Sequence, residues 1–245
     1  MKIKNNKKIV AIVGITSVIA LGTIGFAAWQ ISGNVAVKDL GVSVAFGEVT
    51  SNTLEAKEDV GSDKALAFDG SGDNIAPITS PTKAEDLQFV IKFKVKKGSA
   101  DAPFTKITFN FGDGLDSLIA GNYIVRPYVK GESTLNIDST QDSKTYYSTY
   151  DKLGTYDETS STGFAQKHVI TKDTSFSTNF TYNIESTFVF KWGSTFGGKN
   201  PDQFDNGKTG QEATNVQTAL NNFKTAYTAV SDKSIKLTIT PLDKQ

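Results

Sequence analysis

The chain holds one histidine, His168 in the run FAQKHVI, and no cysteine. Together these remove most metal and nucleophile chemistry, because zinc centres of the hydrolase kind take two or three imidazole or thiolate ligands. A Ser-His-Asp relay needs only one histidine, but no G-x-S-x-G elbow is present to carry its serine. In an alternating run such as this, a surface or half-buried strand position is expected for His168. A pair of carboxylates of the glycosidase kind needs only two nearby acids, yet no spacing picks out such a pair. No catalytic residue is assigned, and the chain is read as a non-enzyme.

Oxygen ligands are more plentiful. In DGSGDN, Asp69, Ser71 and Asp73 stand at the alternate positions where an EF-hand loop begins, with Asn74 able to take the left-handed sixth place. The ninth position is then Pro77, and the twelfth is Ser80 where a bidentate glutamate belongs. The three residues are a candidate calcium site, and no other cofactor is expected. Asp113 and Asp116, and Asp202, Asp205 and Asn206, are further acidic clusters of the sort that ordinary turns contain. Tyr146, Tyr147, Tyr150 and Tyr156 could stack on sugar rings, but strand propensity alone accounts for tyrosines in such a segment.

The elements that would carry these residues are mostly strands. Leu87, Phe89, Ile91, Phe93 and Val95 alternate with polar or smaller neighbours in LQFVIKFKVKK, the period of two of a sheet with one wet face. FTKITFNF, FSTNFTY, STFVFKW and SIKLTIT repeat the pattern, as do Val35 and Val37, then Val42, Val44 and Phe46, near the start. YIVRPYV reads as an edge strand, since Pro127 cannot donate to a ladder. Breakers such as GSGDN, GDG, GGKNP and DNG separate the runs. The expected fold class is all-β: an antiparallel β-sandwich or jelly roll, occupying residues 28–245 as a single domain.

One stretch departs from that period. In QEATNVQTALNNFKTAYTAV, Ala213, Val216, Leu220, Phe223, Tyr227 and Val230 recur at spacings of three and four, which predicts an amphipathic helix in a late crossover. It is expected to cover an edge or an open end of the sandwich, or simply to fill the connection. Residues 133–162 are rich in Ser, Thr, Asp and Tyr and poor in aliphatics, so they are expected to form an exposed polar loop or hairpin.

The amino terminus gives an address. Lys2, Lys4, Lys7 and Lys8 precede an uncharged apolar run from Ile9 to Ala28. Its length, near the roughly 20 residues that span a bilayer, suits an anchor. Its small-residue exit, with Gly25 and Ala27 in the relation a signal peptidase accepts, and the lack of a basic cluster after it suit a cleaved signal. Residues 1–27 are therefore a signal peptide cut after Ala27 or Ala28, or a retained N-terminal anchor. Membrane contact is expected only through residues 9–28, if they are uncleaved. Both readings place the remainder outside the cell, secreted or on its surface. Residues 1–27 contribute four lysines and no acid, leaving 22 basic against 26 acidic residues. A net charge of about −4 without basic clusters argues against nucleic acid as a partner.

KKIVAIVGITSVIALGTIGFAAW resembles the export signals of TasA and camelysin-like proteins of Gram-positive bacteria, with Gly22, Thr23, Ala28 and Trp29 as the matching residues and an inserted IGF. The resemblance implies a signal peptidase as partner during export and a jelly-roll protein of biofilm matrix or surface fibres. It further implies that subunits join when the mature N-terminal strand completes a neighbour's sheet. That strand would carry Trp29, Ile31, Val35 and Val37. Its exposed backbone would need a partner in any case. The expected function is thus a structural protein that self-associates into oligomers or fibres. The alternatives are a carbohydrate- or protein-binding adhesin domain and, further off, a surface hydrolase.

Overall fold

The computed structural model describes residues 40–46, 54–58, 65–66, 86–97, 104–112, 114–137, 143–173, 181–199, 201, 204, 208–229 and 235–243. Its strands are β1 (Leu40–Phe46), β2 (Leu54–Glu58), β3 (Ala65–Leu66), β4 (Asp86–Lys97), β5 (Phe104–Phe111), β6 (Ile124–Val125), β7 (Gly131–Asn136), β8 (Ser143–Thr149), β9 (Phe164–Asp173), β10 (Thr181–Trp192) and β11 (Ile235–Asp243). Two helices among the described residues are α1 (Asp116–Ala120) and α2 (Gln211–Ala229).

Alternation decides which side of each strand is buried. Phe89, Ile91, Phe93 and Val95 of β4 point inward, as do Tyr182, Ile184, Phe188, Phe190 and Trp192 of β10, while Lys94 and Glu185 face solvent. Ile107, Phe109 and Phe111 of β5 and Ile235, Leu237 and Ile239 of β11 form the opposing surface. The strands assemble into two sheets, β3-β1-β11-β5-β7 and β2-β4-β10-β9-β8. The sheets share one core, in which Phe93 meets Phe109 edge-on at 6.2 Å and Phe188 meets Phe111 edge-on at 5.3 Å. Each such ring removed from water contributes about 1.5–3 kcal/mol, and the tilted geometry adds quadrupole attraction.

The all-β expectation holds, with one departure. Every described strand pair is antiparallel except β1 and β11, which run parallel with Val42 beside Ile235 and Phe46 beside Ile239. Period-two patterning fixes which face is buried and is silent on strand direction and on pairing between strands distant in sequence.

Three further segments depart from the sequence reading. The STFVFKW run and the end of FSTNFTY belong to one long strand, β10, while Phe176, Thr178 and Phe180 lie outside the described residues. YIVRPYV shrinks to the two residues of β6, which pair with Lys191 and Trp192 on β10, beyond the Phe188 position where β9 stops. Residues 133–162, expected as a loop or hairpin, instead place β7 in one sheet and β8 in the other. That segment buries Leu135, Ile137 and Tyr146, and its few apolar residues suffice because they fall on the inward phase of each strand.

Helix α2 lies between β10 and β11 in sequence and closes one end of the sandwich. Its stripe of Val216, Leu220, Phe223 and Tyr227 is buried, and Phe223 packs against Tyr123, Trp192 and Phe196 at ring separations of 5.5–5.9 Å. Gly193 ends β10 there. A Cβ at this position would stand 1.9 Å from the Asn122 carbonyl oxygen, so the tight seam between β10 and the α1–β6 connection requires glycine. Among the described residues no helix is long and apolar enough to cross a membrane.

Candidate functional site

The residues singled out in the sequence lie outside the described part of the molecule: Ala27 and Ala28 at the cleavage point, Trp29, Ile31, Val35 and Val37 of the assembly strand, and Asp69, Ser71 and Asp73 of the calcium candidate. Of the other acidic residues considered, Asp113, Asp202, Asp205 and Asn206 are also outside it. Asp116 is described, and its carboxylate is engaged by Arg126 and, at 3.0 Å, by Lys130. Among the described residues no three His, Asp or Glu side chains group as metal ligands would.

Strands at borders of both sheets are described. β1 pairs along five positions with β11, but with β3 only at Leu40 and Gly41. From Val42 to Phe46, then, the flank of β1 toward β3 has no strand beside it among the described residues. At the β8 border of the other sheet the chain folds back on itself: Tyr147 and Asp157 exchange two main-chain hydrogen bonds of 2.7 Å each. One border carries a short strap from its own chain, and on the β1 flank the backbone groups past Gly41 meet no partner strand among the described residues, the kind of edge that accepts an added strand.

A second feature is sealed inside. His168 is not a surface or half-buried residue: it is 0% exposed on the inner face of β9, stacked on Phe109 at 4.9 Å and edge-on to Phe188 and Tyr156. Its ring atoms contact the Ser186 hydroxyl (Nδ1, 2.7 Å) and the Gln166 amide oxygen (Nε2, 3.3 Å). One tautomer satisfies both contacts: Ser186 donates to Nδ1, and the Nε2 hydrogen is donated to Gln166. Gln166 Oε1 also accepts from the Tyr156 hydroxyl at 3.1 Å, and Gln166 Nε2 donates to the Pro127 carbonyl at 2.7 Å.

Burial sets the electrostatics of this network. Desolvation depresses the His168 pKa to about 3, so the ring is neutral at any ordinary pH. The same effect pushes the Tyr156 phenol well above its usual range, opposed by the Ser133 hydroxyl. The Ser186–His168 contact has the form of a nucleophile and base, but glutamine stands where a carboxylate would orient the ring, and both residues are 0% exposed. As placed, the network can hold strands β9 and β10 in register and order the Tyr156 loop.

The sequence pattern did not single out Gln166 or Ser186, and it named Tyr156 only as one of four tyrosines, not as a partner of His168. The signal for the first two was present, since both fall on the phase that Ile170, Ile184 and Phe188 mark as inward. Polar residues on an inward phase must find partners, and that requirement by itself points to a buried network.

The four tyrosines do not form one platform. Tyr146 points into the core, Tyr156 sits against His168, and Tyr150 lies under the Lys191 ammonium at 4.3 Å with its hydroxyl donating to the Val189 carbonyl. Tyr147 lies on the outward phase of β8, braced by Phe164 at a ring separation of 5.9 Å, and with Tyr156 lines an open groove of 530 Å³. Trp192 is core at 1% exposure. Compared with protein families, characterised proteins and solved structures, the chain matches none.

Proposed function

We propose that the chain is a secreted or surface-associated structural protein, a jelly-roll-type subunit of an extracellular matrix or fibre. In this reading residues 1–27 direct export, and the segment carrying Trp29, Ile31, Val35 and Val37 adds as a strand to the sheet of the next copy. The observation that supports it is the flank of β1 from Val42 to Phe46, where a strand immediately following that segment has unoccupied backbone positions among the described residues. Strand addition gains main-chain hydrogen bonds along its whole length, and alternate side chains fill the receiving face. The resemblance of the export signal to those of TasA and camelysin-like proteins points the same way.

Electron microscopy of the purified chain starting at Ala28 tests the reading, beside the same chain starting at Lys38. Filaments are expected from the first, and folded monomers from the second. Filaments of equal length from both, or a protein that stays monomeric at every concentration, would overturn it.

A further inference from the structure

We infer that the outer face of β8, together with the loop folded over it, is a binding groove for a neutral oligosaccharide, with the Tyr147 ring as the surface on which a sugar ring stacks. The inference is independent of fibre assembly and concerns the folded monomer.

The groove has a built frame. Tyr147 and Thr149, on the outward phase of β8, line it together with Thr155, Asp157 and Ser160 from the following loop. The loop is tied down by the paired main-chain bonds between Tyr147 and Asp157 and by the Tyr156 hydroxyl bonded to Gln166. The Asp157 carboxylate accepts from the Thr159 amide and hydroxyl at 2.8 Å each, and those bonds hold its pKa below the usual carboxylate range. Glu158, also in the lining, is held by an ion pair with Lys144. A ligand therefore meets ordered walls, and little of its binding free energy goes into ordering them.

The lining selects the ligand class. At 530 Å³ the groove is in the range of small-molecule sites. Among the described residues no aliphatic side chain lines it, so a lipid or an apolar peptide side chain finds no matching surface. It presents the Tyr147 ring, with Tyr156 also in the lining but tied to Gln166 and packed on His168, several hydroxyls that can donate or accept, and charges of both signs in Lys152, Asp157 and Glu158. A pyranose offers the complement: an apolar C–H face for the ring and a hydroxylated rim for the threonines and Ser160. The mixed charge disfavours a strongly anionic or cationic polymer. Tyrosine suits the role because it adds contact area with few rotatable bonds and ends in a polar group.

Calorimetric titration of the purified chain with chitohexaose, cellohexaose, laminarihexaose and hexagalacturonate tests the inference. At least one of the three neutral hexaoses is expected to bind, and Tyr147→Ala to weaken it by about tenfold or more, the effect of losing one stacking contact. Thr155→Val, an isosteric change at another lining residue, should also weaken it while leaving the thermal melt unchanged, and so keeps the test valid if Tyr147→Ala does not fold. Tyr150→Phe, whose ring is engaged with Lys191 instead, should leave affinity as it is. No binding of any neutral hexaose at millimolar concentration, binding of hexagalacturonate alone, or binding indifferent to both groove substitutions would overturn it.

Discussion

The core of this protein is built in two ways. At the end closed by α2, Trp192, Phe196, Phe223 and Tyr227 are nearly or fully buried and meet mostly at steep interplanar angles. Across β9 and β10, the same inner face instead carries Gln166, His168 and Ser186, joined by directed hydrogen bonds to each other and to the loop above. The aromatic end gains free energy in proportion to area and tolerates small shifts. The polar half gains only about 0.5–1.5 kcal/mol net per bond, but a one-residue slip of β9 would turn Gln166 and His168 to the outer face and leave Ser186 buried without its partner. Stability and register are thus assigned to different halves of one core.

The largest expected effect lies at the aromatic end. Trp192→Ala leaves a cavity under α2 and should cost about 3–5 kcal/mol in equilibrium urea unfolding. A loss below about 1 kcal/mol would mean that α2 does not seal the sandwich.

In the polar half the expected loss is smaller and depends on context. Ser186→Ala removes the donor to His168 Nδ1 and should cost about 1–3 kcal/mol, the desolvation penalty of an abandoned acceptor. In a His168→Phe background the same substitution should cost clearly less, because no acceptor remains to be abandoned. Equal costs in both backgrounds would show that the bond carries no weight.

The sharpest contrast between the halves is their response to acid. His168 has a folded pKa of about 3 and an ordinary unfolded value near 6.5, so above pH 6.5 both states are neutral and the residue adds no pH dependence. As pH falls below 6.5 the unfolded chain takes up a proton that the folded chain refuses. Stability then drops by about 1.4 kcal/mol per pH unit until the folded pKa is reached. Urea melts between pH 7 and pH 4 should show this extra slope in the wild type and not in His168→Phe, with the carboxylate contribution common to both. Trp192→Ala should lower the whole curve and leave its slope unchanged.

Much of this arrangement was legible in the residues themselves. The inward sets of β4, β5, β10 and β11 and the stripe of α2 follow from periods of two and of three to four, because burial is the strongest force acting on each side chain. The parallel seating of β1 was not legible, since strand direction leaves no mark on alternation. Nor was the parting of β7 and β8 into different sheets: a polar composition suggested exposure, whereas position within the alternation decided it. His168 was read from its type, which favours partial exposure, and the structure places it by phase. Tyr147 was visible only as one of four similar tyrosines. Its outward aim depends on the register of β8 against β9, where it stands opposite Lys167.

The seating of β1 also sets an order of events. Its long partner, β11, is the last described strand, so a polypeptide emerging amino end first presents β1 well before that partner exists. The closure spans nearly the whole domain and is the most non-local pairing among the described strands, the kind of contact that forms late and slowly. β1 is then a clasp between the two ends of the described chain, and a polypeptide cut short of Ile235 lacks the strand that fastens it.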